Sequence, residues 1–202
     1  KRANEELDQL TGFQKQFFSV VEHDVKHPLA AVSGYAEMLS WDIKEEEKKR
    51  CTAHILSSSK VLEALISDLV DYAAIESGML RMKMKEVNLA DVILDVSSRI
   101  EVVARDRKIK FSVHMPKVFP KLEADPLRLS QVSQNLCTNA VQYTPEGGTV
   151  ELSSQVTASE VIVRVKDSGI GISKEDLPRV FQRFFQAANA KKIRSAGFGL
   201  GL

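Results

Sequence analysis

Apolar positions in the first forty residues recur every three to four places. Leu7, Leu10, Phe13 or Gln14, Phe17, Val20 and Val21 begin a stripe that Val25, Leu29, Val32, Ala36 and Leu39 continue. That period predicts one long amphipathic helix over 1–40. Pro28 lies inside it, removes one backbone donor and should bend the helix about a turn upstream. The charged run WDIKEEEKKR breaks the stripe and predicts a turn, a second helix start and a solvated face. Ile55, Leu62, Leu65, Ile66, Leu69, Val70 and Ala73 then mark one face of that second helix, which should end near Ser77-Gly78. Two such helices form a hairpin whose apolar faces have no cover of their own. A dimeric four-helix bundle is the expected solution.

After residue 79 the pattern changes to short strands alternating with helices. NLADVILDVSSRIEVVARDR has helical period, whereas KIKFSVHM alternates as a strand. DPLRLSQVSQNLCTNAVQY opens on an Asp-Pro start signal and predicts a long helix. EGG should turn the chain into TVELSSQV, with EVIVRVKDS as its hairpin partner. SKEDLPRVFQRFFQ predicts a short helical stretch and AANAKKIRSAGFGLGL a polar, glycine-containing loop. The expected fold class is α+β: a helical hairpin over 1–78, then an α/β sandwich over 79–202, with the junction at 77–86.

Composition narrows the class. The 202 residues are 44% hydrophobic and 27% charged, ordinary for a soluble protein with a buried core. A net charge of +1 argues against strong nonspecific nucleic-acid binding. Two cysteines, Cys51 and Cys137, build no disulfide framework and fit a reducing compartment. No apolar run reaches the ~20 residues that span a bilayer. The sequence opens inside a helix and stops at GFGLGL, so it reads as a piece of something longer, with upstream membrane anchoring left open.

Chemistry concentrates in two places. His23 sits five residues before Pro28; a neutral imidazole is a competent nucleophile when a carboxylate holds one ring nitrogen. Asp24 is the adjacent acid, and Lys26 could attract phosphate. The bland alternative is a surface histidine. A different chemistry is written in HDVKH, where His23 and His27 are spaced i, i+4 and could share Zn²⁺. That reading lacks a third ligand and puts Asp where a protease needs Glu. In the second place, Asn135 and Asn139 project from one helical face, and the amide oxygen of Asn139 suits Mg²⁺. Helix-surface hydrogen bonding is the ordinary alternative. Support comes from DSGIG, where Asp167 ends a strand and Gly169 and Gly171 permit close backbone approach. GFGLGL adds Gly197, Gly199 and Gly201 where a loop can cradle phosphates on backbone amides.

In their order along the chain these motifs resemble the catalytic core of a bacterial-type sensor histidine kinase. HDVKHPLAAVSGYAEML is similar to the phospho-acceptor box, NLCTNAVQYTP to the N box, DSGIGI to the first glycine box, VFQRFF to the aromatic box and GFGLGL to the second glycine box. An acceptor box ahead of the nucleotide fold separates this set from chaperone, gyrase and mismatch-repair relatives. The resemblance implies a dimeric bundle and a Bergerat-type ATP-binding sandwich with a lid. It implies that His23 accepts the γ-phosphoryl group of ATP on Nε2, that Asp24 polarises the imidazole, and that Lys26 stands where Arg is usual. It implies Asn139 on Mg²⁺ with Asn135 in support, Tyr143 beside the nucleotide and Asp167 on adenine. Gly169 and Gly171, with Gly197, Phe198, Gly199, Leu200 and Gly201, would form the hinges and phosphate contacts of the lid. The implied partners are a second copy and the receiver Asp of a response regulator, and the implied location is the cytoplasm.

Departures from the family pattern qualify the activity. His27 replaces a Thr or Asn associated with dephosphorylating the partner. Gln142 and Gln186 stand where phosphate-binding cations are common, and Phe198 replaces Thr or Ser. Lys191, Lys192 and Arg194 could compensate. These changes imply a slow kinase or, as a second reading, a nucleotide-binding regulatory module without turnover. The family also continues past GLGL with a helix and further strands. Among the remaining residues, Cys137 should be core, Cys51, His54 and His114 structural, and Trp41 a cover for the hairpin end.

Overall fold

The computed structural model describes residue 22, residues 24–182, residues 185–187 and residue 189. Two compact units divide the chain, one reaching Leu80 and the other beginning at Arg81.

The first unit is a helical hairpin. Helix α1 occupies 24–39 and runs through Pro28; helix α2 spans Glu45–Glu76. The turn closes on backbone bonds from Ser40 to the Glu37 carbonyl and from Trp41 to the Met38 carbonyl, 3.0 and 3.1 Å. Glu47 accepts the Lys44 N–H at 3.1 Å, and Glu45, Glu46 and Glu47 lie in the first turn of α2. Three carboxylates there face the positive end of the helix dipole, so the charged run does more than solvate a face. At the other end Gly78 takes φ +65°, and the Met79 and Leu80 amides both donate to the Ala74 carbonyl. That left-handed residue is the usual helix terminator.

The apolar face expected of α2 splits in two. Leu65 and Cys51 are buried and Ile55, Leu62 and Leu69 half-buried, whereas Ala73 is exposed, Ile66 is 56% exposed and Val70 61%. Along α1 the inward positions are Asp24, Pro28, Val32, Tyr35 and Leu39, while Leu29 and Ala36 stay exposed. Tyr35 stacks on His54 with ring centroids 4.5 Å apart, which gives that histidine its structural place. Trp41, expected to cover the hairpin end of the bundle, is 57% exposed in the single chain.

The second unit is an α/β sandwich. Its elements are β1 (Lys85–Val87), α3 (Leu89–Asp106), β2 (Lys110–His114), β3 (Leu122–Ala124), α4 (Pro126–Tyr143), β4 (Thr149–Val156) and β5 (Val161–Asp167). Strands β2, β4 and β5 form a sheet in that order, β2 parallel to β4 and β5 antiparallel to it. Strands β1 and β3 pair separately, with Lys85 opposite Ala124. This small ladder was not anticipated, because three-residue strands carry too little alternation to register. Val92, Ile93, Val96, Ile100 and Ala104 of α3 meet Cys137, Ala140 and Val141 of α4 over Val150 and Leu152 of β4. The helical stretch expected at 173–186 reduces, among the described residues, to one tight turn at Leu177–Arg179. Leu177 and Phe181 are 56% and 77% exposed, so a longer helix there has no core to bury against.

Candidate active site

The hairpin contributes the acceptor region. His23 lies outside the described residues. Asp24, its neighbour, is buried, and Lys26 and His27 are exposed. Lys26 forms an ion pair with Glu22 one turn back, and its ammonium holds the Glu22 carboxyl below the usual range. The cation expected to draw phosphate therefore has a carboxylate partner. No cluster of three His, Cys, Asp or Glu placed to hold a metal occurs among the described residues, and His23 of the HDVKH pair is not one of these.

The nucleotide unit builds its candidate site around α4. Asp125 caps that helix by accepting the Leu127 and Arg128 amides, with Pro126 at the first turn. Such a start fixes the rotation of everything that follows. Ser133, Cys137, Ala140 and Val141 turn inward. Burial pushes the Cys137 thiol up to about 11, as befits a core sulfhydryl. The opposite face carries Asn135 and Asn139, both half-buried, one helical turn apart.

The glycine loop then folds onto the end of α4. The Ile170 amide donates to the Tyr143 carbonyl at 3.1 Å, tying residues 167–170 to the last turn. A Cβ on Gly169 would stand 2.6 Å from the Tyr143 carbonyl oxygen and 2.7 Å from Asp167 Oδ1, so no side chain fits. The Gly169 amide donates to Asp167 Oδ1 at 2.8 Å, which orients the exposed carboxylate at the strand end. Gly171 adopts φ +66° with open space around it. Tyr143, Asp167, Gly169 and Gly171 are thus brought together, on the helix that carries Asn135 and Asn139.

Gln142 lines a shallow cavity with Val103, Arg107, Thr138 and Val141. Its carbonyl and that of Val141 each accept from Arg107 Nη1 at 2.9 Å. Gln186 is half-buried. Gly197, Phe198, Gly199, Leu200 and Gly201, with Lys191, Lys192 and Arg194, lie outside the described residues.

Four supporting residues escaped the sequence reading. Arg107 tethers the C-terminal carbonyls of α4. Ser168 accepts the Thr149 amide at 2.9 Å, joining the glycine loop to the start of β4. Asn189 donates to the Gly171 carbonyl at 3.1 Å. Only Gly148 left a signal, in the EGG turn: a Cβ there would meet Thr144 Cγ2 at 2.4 Å.

Two family profiles match the two units. The His Kinase A (phospho-acceptor) domain matches residues 13–78, and the histidine kinase-, DNA gyrase B- and HSP90-like ATPase matches 124–202. The catalytic domain of histidine kinase ThkA is 32% identical, with TM-score 0.53, over 60% of this chain and 76% of that one. The chain belongs to the histidine kinase family.

Further relatives agree. The Non-motile and phage-resistance protein of Caulobacter vibrioides is 32% identical over 94% of this histidine kinase chain and 23% of its own length. Sensor protein CreC of Escherichia coli is 32% identical over 92% of the chain and 39% of its own length. The chain therefore spans well under half of either curated relative. The Acinetobacter baumannii histidine kinase AdeS shares the fold, at TM-score 0.63 and 24% identity over 88% of this chain and 82% of that one. No helix among the described residues is long and apolar enough to cross a membrane.

Proposed function

We propose that this chain is the catalytic core of a two-component sensor kinase, transferring the γ-phosphoryl group of ATP to His23 and onward to a response-regulator aspartate. The observation that carries the reading is the Tyr143–Ile170 bond with the side-chain-free Gly169 beneath it. It supports a nucleotide seat in which the Asp167 carboxylate accepts from an exocyclic amine of the base and the glycine loop leaves room for the ligand. Asn135 and Asn139 offer neutral oxygen donors, which fit a hard divalent cation whose charge is balanced by phosphate rather than protein. Mg²⁺ held by Asn139 would neutralise negative charge on the phosphates.

In the transfer, the Nε2 lone pair of His23 forms a P–N bond while the γ-phosphorus to β,γ-bridging oxygen bond breaks. ADP leaves with that electron pair. The proton on Nδ1 stays there, and the neighbouring Asp24 carboxylate stabilises the positive charge that develops on the ring. Catalysis is a matter of in-line positioning and charge neutralisation. The phosphoramidate retains enough free energy to phosphorylate a receiver Asp. In this reading the hairpin covers 1–78 and the nucleotide domain 79–202. A second copy covers Leu29, Ile66 and Val70, forming a four-helix bundle, and the reaction takes place in the cytoplasm. One relative is named a sensor kinase/phosphatase and another a sensor protein, and a module without turnover draws no support from them. Incubation with γ-labelled ATP and Mg²⁺ tests the reading. Acid-labile label is expected on the chain, lost in Asn139→Ala; label undiminished in that variant would contradict the seat.

A further inference from the structure

The segment that joins the two units is held at both ends. On one side the Met79 and Leu80 amides bond to the Ala74 carbonyl at 2.9 and 3.0 Å. On the other, the Lys83 amide donates to Asp125 Oδ2 at 2.8 Å, across 42 positions of sequence. Only Arg81 and Met82 lie between these anchors. The second oxygen of the same carboxylate accepts the Leu127 and Arg128 amides at 3.0 and 3.3 Å. One buried side chain therefore caps the helix that carries Asn135 and Asn139 and grips the linker. The next tie downstream is the β1–β3 ladder, which begins at Lys85.

We propose that Asp125 is a positioning residue for phosphoryl transfer: its carboxylate clamps Lys83 and shortens the free tether between hairpin and nucleotide unit from four residues to two. The inference rests on His23 being the acceptor, as proposed above. Its physical content is effective concentration. A flexible tether presents its two ends to each other with a frequency that falls as about the −3/2 power of length, so doubling the length costs about threefold. The Lys83 N–H is the chief cause that holds the Asp125 carboxyl below the usual range, with the Arg128 and Leu127 amides next among the groups that lower it. The clamped form is thus the ionised one.

Three variants of the full chain isolate the clamp. Asp125→Asn keeps an oxygen for the helix amides, but its Nδ2 turns hydrogens toward the Lys83 N–H and breaks that bond. A Gly-Ser insertion after Arg81 lengthens the tether with the clamp intact. The same insertion after Lys83 adds length where the clamp makes it irrelevant. We expect Asp125→Asn and the first insertion each to slow single-turnover labelling of His23 about threefold at saturating ATP. The second insertion should be neutral, and affinity for a non-hydrolysable ATP analogue should stay within twofold throughout. Hydrogen exchange at the Lys83 amide should accelerate in Asp125→Asn alone. Equal effects of the two insertions, unaltered labelling in Asp125→Asn, or analogue affinity falling in step with rate would each overturn the proposal. An unlabelled wild-type chain with a protected Lys83 amide would instead remove the acceptor reading and leave the clamp in place.

Discussion

The hairpin and the sandwich solve the problem of burial differently. In α2, 32 residues long, Cys51 and Leu65 are buried and apolar residues at 56, 66, 70 and 75 face outward. In the sandwich, two helices of 18 residues each and one sheet close over a shared core in which Val96, Val150 and Leu152 have no exposure. The first unit leaves apolar side chains exposed in the single chain, and the second buries a core of its own.

That contrast is open to disruption at graded cost. Ile93→Ala should destabilise the sandwich by about 2–5 kcal/mol, since its side chain is 1% exposed and the void cannot collapse. Chemical denaturation followed in the nucleotide unit reads this. Gly169→Ala should cost about 1–3 kcal/mol, because backbone rather than a flexible side chain occupies the space. Gly171→Ala meets no atoms and should lose only about 1–2 kcal/mol, from its left-handed backbone. A larger loss at 171 than at 169 would reverse the assignment of the crowded position.

On the hairpin the same chemistry should act through association. Ile66→Lys should change single-chain stability by under about 0.5 kcal/mol, as surface changes do. It should nevertheless raise the concentration at which the chain dimerises, measured by sedimentation. Dimerisation unaffected by this change would leave the exposed stripe without a role. The smallest effect concerns Cys137. Its raised value, about 11 against an ordinary 9.0, favours the protonated native state, whose stability is present below pH 9 and declines as pH rises toward 11. At pH 8 the thiolate is about 100-fold scarcer than in an unfolded chain, and alkylation should wait for unfolding.

Elements long enough to show their period were legible from sequence. Helical period announced α3 and the Asp125-Pro126 start announced α4, and the β4–β5 pairing followed from the EGG turn and alternation. The ladder of β1 and β3 was not legible, because three residues cannot display a period. Nor was the split of α2 into covered and open stripes, since both are equally apolar. The site was half legible. Asp167 and Gly169 declared themselves through glycine spacing, whereas Arg107, Ser168 and the Asp125–Lys83 bond join residues too distant for spacing to link. Gln142 belonged to the right helix, and the cavity it lines with Val103 and Arg107 is set by packing that spacing does not display.

The most direct test is the position of the phosphoryl group after a single turnover with ATP. Mass spectrometry under alkaline conditions should find it on His23, and His23→Ala should carry none. Phosphate on any other residue, or an undiminished yield in His23→Ala, would contradict the account.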